Sequence, residues 1–195
     1  MRCIKCRKPA VVHVKTIDAC CGCFAGIIEK RIRKELRQKK LISRGDNILV
    51  IDDSSAEARS GIYLLQSAIK GLPVEISIRK SAFVLGKNLK GSFNKVIIPW
   101  SADREGEYFM GCVLGNRKPV HLGNFRHGKK TYIKLLLPLL DEEIQAYAKI
   151  RQLSSKKKEE KSLEKDLLDK LEQEYPEAKF SVLKSSREFL PKKNF

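Results

Sequence analysis

No stretch of this 195-residue sequence stays apolar over the roughly 20 residues that a membrane-spanning helix requires. The first ten residues, MRCIKCRKPA, are charged and carry two cysteines, so we do not expect them to act as a secretory signal peptide. We therefore expect neither a membrane protein nor a secreted one.

Cysteine is nearly absent beyond residue 23, where only Cys112 remains. A disulfide framework closes loops along the whole chain, so this distribution argues against one. The other five cysteines form a Cys-x2-Cys pair, a 13-residue spacer and a second Cys-x2-Cys pair with one extra cysteine. Because each pair can present two thiolates to one tetrahedral ion, this spacing predicts a zinc knuckle that binds a structural Zn²⁺ ion, with residues 10–14 as a hairpin strand. The predicted ligands are Cys3, Cys6, Cys20 and Cys23, with Cys21 in place of Cys20 as the alternative.

Acidic residues are scarce: 23 Asp and Glu stand against 40 Lys and Arg, which gives a formal charge of +17. Such an excess favours a polyanionic partner, most often a nucleic acid. Much of it lies on a helix predicted over residues 24–40, where apolar residues recur at helical spacing. Only Glu29 and Glu35 offset the basic residues there, so we predict nucleic-acid contacts rather than a merely solvated face. The candidates are Lys30, Arg31, Arg33, Lys34, Arg37, Lys39 and Lys40.

The middle of the chain alternates short hydrophobic runs with helical patterns. Strands are predicted at 47–52, 74–78 and 95–99, further extended segments at 119–122 and 132–137, and helices at 56–70, 104–114 and 142–150. This order is typical of an α/β fold with a parallel sheet, in which ligands bind beyond the carboxyl ends of the strands. Leucines from Leu163 to Leu171 predict a further amphipathic helix that Pro176 ends, and residues 180–183 predict a last short element.

Several segments together resemble the cytoplasmic tRNA 2-thiolation proteins. The resemblance is carried by Cys-x2-Cys followed by Cys-x2-Cys-Phe, by the basic helix, and by Leu41-Ile42-x2-Gly45-Asp46, Leu137-Pro138-Leu139 and Glu174-Tyr175-Pro176. Members of this family are PP-loop ATP pyrophosphatases that sulfurate the wobble uridine of certain tRNAs. The resemblance implies a PP-loop (adenine nucleotide α-hydrolase-like) α/β fold, a parallel sheet with helices on both faces, an N-terminal zinc knuckle and a cytoplasmic location.

The phosphate loop is where this chain departs from the family's catalysts. They carry Ser-Gly-Gly-x-Asp-Ser after the first strand, and the glycines let backbone N–H groups close around a pyrophosphate. The corresponding run here is Ile51-Asp52-Asp53-Ser54-Ser55-Ala56, without either glycine. Two carboxylates at the phosphate position disfavour ATP binding unless a Mg²⁺ ion bridges them. Residues 52–55 are therefore predicted to be a degenerate phosphate loop, and no residue is predicted to be catalytic.

The sulfur-handling cysteines of the catalytic branch are missing too. Catalysts carry a central Cys-x2-Cys and a further cysteine for an iron–sulfur cluster or persulfide chemistry, whereas no cysteine lies between Val74 and Trp100 here. Cys112 alone cannot hold a cluster, and we expect it to serve as a small apolar residue. Asp103 and Glu105 either correspond to the family's acidic motif or favour the dipole of the helix that follows.

These departures match the non-catalytic second subunit of the eukaryotic wobble-uridine thiolase. The resemblance then implies a pseudo-enzyme that binds tRNA and a catalytic PP-loop homologue as a hetero-oligomer, with no membrane involved. Two alternatives stay open: an active ATP-dependent tRNA sulfurtransferase with an unusual phosphate loop, and a stand-alone zinc-knuckle RNA-binding protein. The predicted division is 1–24 for the zinc knuckle, 25–44 for a basic linking helix, 45–153 for the degenerate PP-loop domain and 154–195 for a C-terminal helical segment and tail.

Overall fold

The structure, a computed structural model, describes residues 1–14, 17–81, 89–155 and 162–188, and it begins with a hairpin and a long helix. The hairpin strands, Val12–Val14 (β1) and Ile17–Ala19 (β2), pair antiparallel. Helix α1 follows over Cys21–Gln38. Its buried positions recur every three or four residues from Phe24 to Leu36, which leaves the opposite face to the basic residues. The helix predicted at 24–40 is confirmed, and it starts inside the second cysteine pair.

A five-stranded, mostly parallel sheet forms the centre of the fold. Its strands are Asn47–Asp52 (β3), Glu75–Lys80 (β4), Lys95–Ser101 (β5), Phe125–His127 (β6) and Lys130–Leu136 (β7). They lie in the order β4-β3-β5-β7-β6, and only the β6–β7 pair is antiparallel. The predicted α/β fold with a parallel sheet is thus confirmed, apart from this edge strand.

The edge of the sheet also corrects one predicted strand. Residues 119–122 form no strand, and the extended segment at this position is β6. The reason lies in the turn: Gly128 has φ +61 and, with Lys129, makes a two-residue connection that folds β6 back onto β7.

Helices cover both faces of the sheet. Helices Ala56–Ala68 (α2), Ala102–Leu114 (α3) and Asp141–Ile150 (α4) follow β3, β5 and β7. Successive strand residues point to opposite faces, so Ile48 and Val50 pack into one core with α1, α2 and α4, while Leu49 and Ile51 pack into a second core. Helix α3 lies on that second face, where its Glu105 meets a side chain of β7.

Two C-terminal helices, Leu163–Glu174 (α5) and Ala178–Glu188 (α6), pack against α3. The amphipathic helix predicted from Leu163 is confirmed, with Leu168 as its buried residue. The short element predicted at 180–183 belongs to the longer helix α6. Of the predicted segment 154–195, residues 156–161 and 189–195 lie outside the described residues.

The N-terminal hairpin shares its hydrophobic core with the sheet. Cys3, Val12, Val14 and Ile17 are buried in the same cluster as the residues of α1, α2 and α4. The division of the chain into four regions stays a prediction. In the part of the chain that the structure describes, no helix combines the length and the apolar surface that crossing a bilayer demands.

Candidate functional site

The carboxyl ends of the parallel strands converge at one end of the sheet. β3 ends at Asp52 and β5 at Ser101, and the chain leaves these neighbouring strands in opposite directions, towards β4 on one side and β7 on the other. Such a switch point opens a crevice in which α/β proteins bind ligands. The predicted degenerate phosphate loop, residues 52–55, follows β3 at this crevice.

The loop after β3 holds its own carboxylates against the backbone donors that a phosphate would use. Asp52 Oδ1 accepts a hydrogen bond from the N–H of Ser54 (2.8 Å), and Asp53 Oδ1 accepts one from the N–H of Ser55 (3.1 Å). Asp53 Oδ1 also accepts the Oγ–H of Ser55 (2.5 Å), and Ser55 Oγ caps α2 by accepting the N–H of Ala58. Two backbone donors at the N-terminus of α2 are therefore occupied by this chain.

Arg59 offsets the charge of Asp52. Asp52 is only 2% exposed, and its Oδ2 lies 3.5 Å from the Arg59 guanidinium in α2. A Mg²⁺ ion bridging Asp52 and Asp53 would have to compete with this guanidinium and with the N–H donors of the turn. The geometry is that of a closed turn rather than of an open phosphate cradle.

Asp103, at the start of α3, ties two other helices to the carboxyl end of the sheet. Its Oδ2 accepts the N–H of Asp141 (2.8 Å), and its Oδ1 lies 2.6 Å from Lys179 Nζ of α6. The same ammonium lies 2.6 Å from Asp169 Oδ1 of α5. Burial disfavours the charged form of Lys179, but these ion pairs outweigh burial, so the pKa of Lys179 is raised above its ordinary value.

Two further carboxyl groups beside Asp103 have raised pKa values. Burial, with the charge of Asp141, raises the pKa of Glu107 to about 7 from 4.5, and burial with the charge of Asp103 raises the pKa of Asp141 to about 6 from 3.8. Between the ordinary and the raised pKa value of each group, the folded state therefore holds more protons than the unfolded state. By linkage, the free energy of unfolding falls as the pH rises through this range.

We expect Glu107→Gln to gain stability relative to the wild type as the pH rises from about 5 to about 8, because the amide stays neutral without a proton. Guanidinium unfolding of both proteins at the two pH values measures the difference. Glu174→Gln, at an exposed glutamate that ends α5, is the matched control and should differ from the wild type equally at both pH values. A pH-independent effect of Glu107→Gln would contradict the prediction.

A fully buried ion pair lies on the second face of the sheet. Lys134 Nζ of β7 contacts Glu105 Oε2 of α3 and donates to the carbonyl oxygen of His121 (2.6 Å), and the two side chains are 0% and 1% exposed. Glu105 also accepts the Trp100 indole N–H (2.8 Å) and the N–H of Gly123. Burial lowers the pKa of Lys134, and the nearby carboxylate offsets part of that effect. Neither sequence interpretation of Glu105 predicted this partner.

The four predicted zinc ligands meet at one point. The Sγ atoms of Cys3, Cys6, Cys20 and Cys23 all lie within 4.8 Å of one another, and those of Cys6 and Cys20 are 3.6 Å apart. Four sulfurs at about 2.3 Å from one tetrahedral ion are about 3.8 Å apart, so the arrangement fits a single metal ion. Cys21 is exposed and lies outside this group, so Cys20 is the one of the two in position.

Backbone N–H groups favour thiolates in this cysteine cluster. The N–H groups of Cys20 and Cys6 lower the pKa of Cys3 to about 6, and the N–H of Cys23 lowers the pKa of Cys20. Hydrogen bonding to the Cys20 and Cys6 sulfurs raises the pKa of Cys23 to about 12, because the remaining proton is shared. The last thiol therefore resists ionisation until a cation supplies positive charge.

The seven basic residues predicted to contact nucleic acid, which lie in α1 and just after its end, fall into two groups. Three are engaged within the fold: Arg31 with Glu143 (2.6 Å), Arg33 with Glu29 (3.8 Å) and Lys39 with Glu35. The other four make no ion pair with any described residue: Lys30, Lys34, Arg37 and Lys40. The second group is exposed and keeps its charge available to a ligand.

Comparison with known proteins finds a similar fold but no similar sequence. No family model and no curated protein matches the chain. The fold is similar to that of the U34-tRNA thiolase NcsA from Methanococcus maripaludis, whose structure contains its 4Fe-4S cluster. The superposition has a TM-score of 0.80 with 17% sequence identity and covers 100% of this chain and 88% of NcsA. The predicted α/β fold is thereby confirmed, since NcsA shares it.

Proposed function

We propose that this chain is a non-catalytic subunit in the 2-thiolation of tRNA wobble uridines, where it binds tRNA and a catalytic PP-loop homologue in the cytoplasm. The closed loop after β3 carries the proposal. Its Ser54 and Ser55 N–H groups, which an active phosphate loop would offer to ATP, are bonded to Asp52 and Asp53. A thiolase-like fold that fills its own phosphate position supports the role of a partner rather than of a catalyst.

The cysteine content supports the same role. NcsA was solved with a 4Fe-4S cluster, whereas beyond the N-terminal segment, which also holds the exposed Cys21, this chain has only Cys112, which is 4% exposed. One buried thiol cannot hold an iron–sulfur cluster. Both the ATP chemistry and the sulfur transfer would therefore come from the catalytic homologue.

We assign zinc to the N-terminal cysteine cluster. A four-iron cluster binds each cysteine to a different iron, which spreads the sulfurs more widely than a single ion does, and the sulfurs here lie within 4.8 Å of one another. Four thiolates close the coordination sphere of zinc, so the ion would be structural, with no open position for chemistry. It would hold the hairpin in the core that the hairpin shares with α1.

The deciding experiment is co-expression with a paralogue that keeps the Ser-Gly-Gly-x-Asp-Ser loop and the central cysteines. We expect the two chains to co-elute in gel filtration, and 2-thiouridine to form in tRNA only when both are present. This chain alone, supplied with ATP, Mg²⁺ and tRNA, should release AMP and pyrophosphate only at background level, because its phosphate position is occupied.

Two results would favour the alternatives. Robust pyrophosphate release by this chain alone that disappears in Asp53→Ala would favour an active sulfurtransferase with an unusual loop. Normal tRNA thiolation in cells that lack this chain, together with no co-eluting partner, would favour a stand-alone zinc-knuckle RNA-binding protein.

A further inference from the structure

A groove of about 420 Å³ opens between the C-terminal ends of α1 and α2. We call it the basic groove, because its walls carry four cations. These are Arg33, Arg37, Lys40 and Lys70, and Leu36 and Leu72 are among its apolar lining. Lys70 lies just beyond the end of α2, so the sequence pattern of the basic helix gave no reason to group it with the others.

The basic groove keeps a net positive charge. None of its lining residues is acidic, and Arg37, Lys40 and Lys70 are exposed and form no ion pair with a described residue. The two helix C-termini contribute about half a negative charge each, or about −1 together, against these three unpaired cations. The cations therefore exceed what the helix dipoles neutralise.

The basic groove lies at the amino end of the sheet, opposite the loop after β3. Helix α1 leads into β3 and α2 leads into β4, and the two connections are joined by hydrogen bonds from Gly45 N–H to Pro73 O (2.8 Å) and from Glu75 N–H to Asp46 O (3.0 Å). The 6 residues of β3 separate this end from the loop by about 20 Å. A ligand in the groove therefore does not depend on the phosphate loop.

We propose that the basic groove binds the sugar–phosphate backbone of RNA, with Arg37, Lys40 and Lys70 as its phosphate contacts. The inference rests on the proposed function, in which the RNA is tRNA. It places the RNA contacts in a recess that α1 shares with the end of α2, instead of along the whole of α1. A phosphate backbone can enter such a recess. A bilayer surface cannot, and it would need projecting apolar side chains, whereas Leu36 and Leu72 are buried or half-buried.

The test measures tRNA affinity against NaCl concentration for the full chain and for Lys40→Gln and Lys70→Gln. Each variant should weaken binding and reduce the slope of log affinity against log salt by about 0.7 to 0.9, which is the contribution of one phosphate contact. Lys118→Gln is the matched control, since it removes the same charge from an exposed lysine that lies beyond α3 and does not line the groove. Its slope should equal that of the wild type.

The outcomes separate the groove from the proposed function. If the wild type binds tRNA and Lys70→Gln keeps the wild-type slope, the proposal that the groove binds RNA is wrong. The prediction that α1 contacts tRNA is not contradicted by that result. Binding to phosphatidylserine vesicles but not to tRNA would overturn the groove in favour of a membrane. Failure to co-elute with the catalytic paralogue would contradict the partner role whatever the slopes are.

Discussion

Lys134→Met should lower the free energy of unfolding by about 3 to 5 kcal/mol, because it leaves the Glu105 carboxylate buried without its cation. Glu105 is 1% exposed, so water cannot replace the ammonium. The Trp100 indole and the Gly123 N–H still donate to it, but neither carries a charge. Urea unfolding measures the loss directly, and the corresponding fall in the melting temperature is about 6 to 20 °C for a chain of this length.

The double variant Lys134→Met with Glu105→Gln is the matched control for this ion pair. It removes both charges, and the single carbonyl oxygen of glutamine can still accept from either Trp100 or Gly123, which donate to different oxygens of Glu105. We expect it to recover most of the stability that the single variant loses, since replacing both members of a buried pair costs far less than removing one. A single variant as stable as the wild type, or a double variant no better than the single one, would contradict this account of the pair.

Cys6→Ser should reduce the zinc content from one equivalent per chain to near zero and lower the melting temperature by on the order of 10 °C. A serine hydroxyl stays protonated and ligates zinc poorly, which leaves three thiolates. Structural zinc contributes about 10 to 16 kcal/mol in isolated zinc-finger peptides. Because Val12, Val14 and Ile17 of the hairpin lie in the core shared with the sheet, loosening the hairpin also exposes part of that core. Elemental analysis and calorimetry measure the two effects.

Cys21→Ser is the control for the zinc site, because Cys21 is exposed and outside the sulfur cluster. It should keep both the metal and the melting temperature. Full zinc in Cys6→Ser, or equal zinc loss in Cys21→Ser, would contradict the ligand set. One equivalent of iron in the wild type would contradict zinc as the metal, but it would agree with a site that binds a single ion.

Local sequence pattern predicted the elements whose signal is contained in one run of residues. β3 is a continuous apolar strand buried on both faces, so its bounds were predicted to the residue. β6 has only three residues and one buried side chain, and its pairing depends on a turn and on β7 rather than on its own composition. Edge strands of this kind carry too little local information to be recognised.

The candidate sites, too, were predicted only where local sequence carries the signal. The cysteine spacing predicted the cluster, because four ligands of one ion impose a fixed spacing on the chain. The carboxylates of Asp52 and Asp53 were predicted to repel a phosphate, whereas their hydrogen bonds to the turn depend on backbone angles that sequence does not display. Lys134 and Glu105 are 29 residues apart, and the one available signal was a lysine inside the apolar run of β7.

Helix α1 joins the cysteine cluster to the basic groove without a break. It begins at Cys21, next to a sulfur of the cluster, and ends at Gln38, between Arg37 and Lys40 of the groove. Its 18 residues make a rod about 27 Å long, with its apolar face packed over most of that length. A helix held in this way moves as a unit. One continuous helix therefore sets where the cysteine cluster lies relative to the α1 wall of the groove.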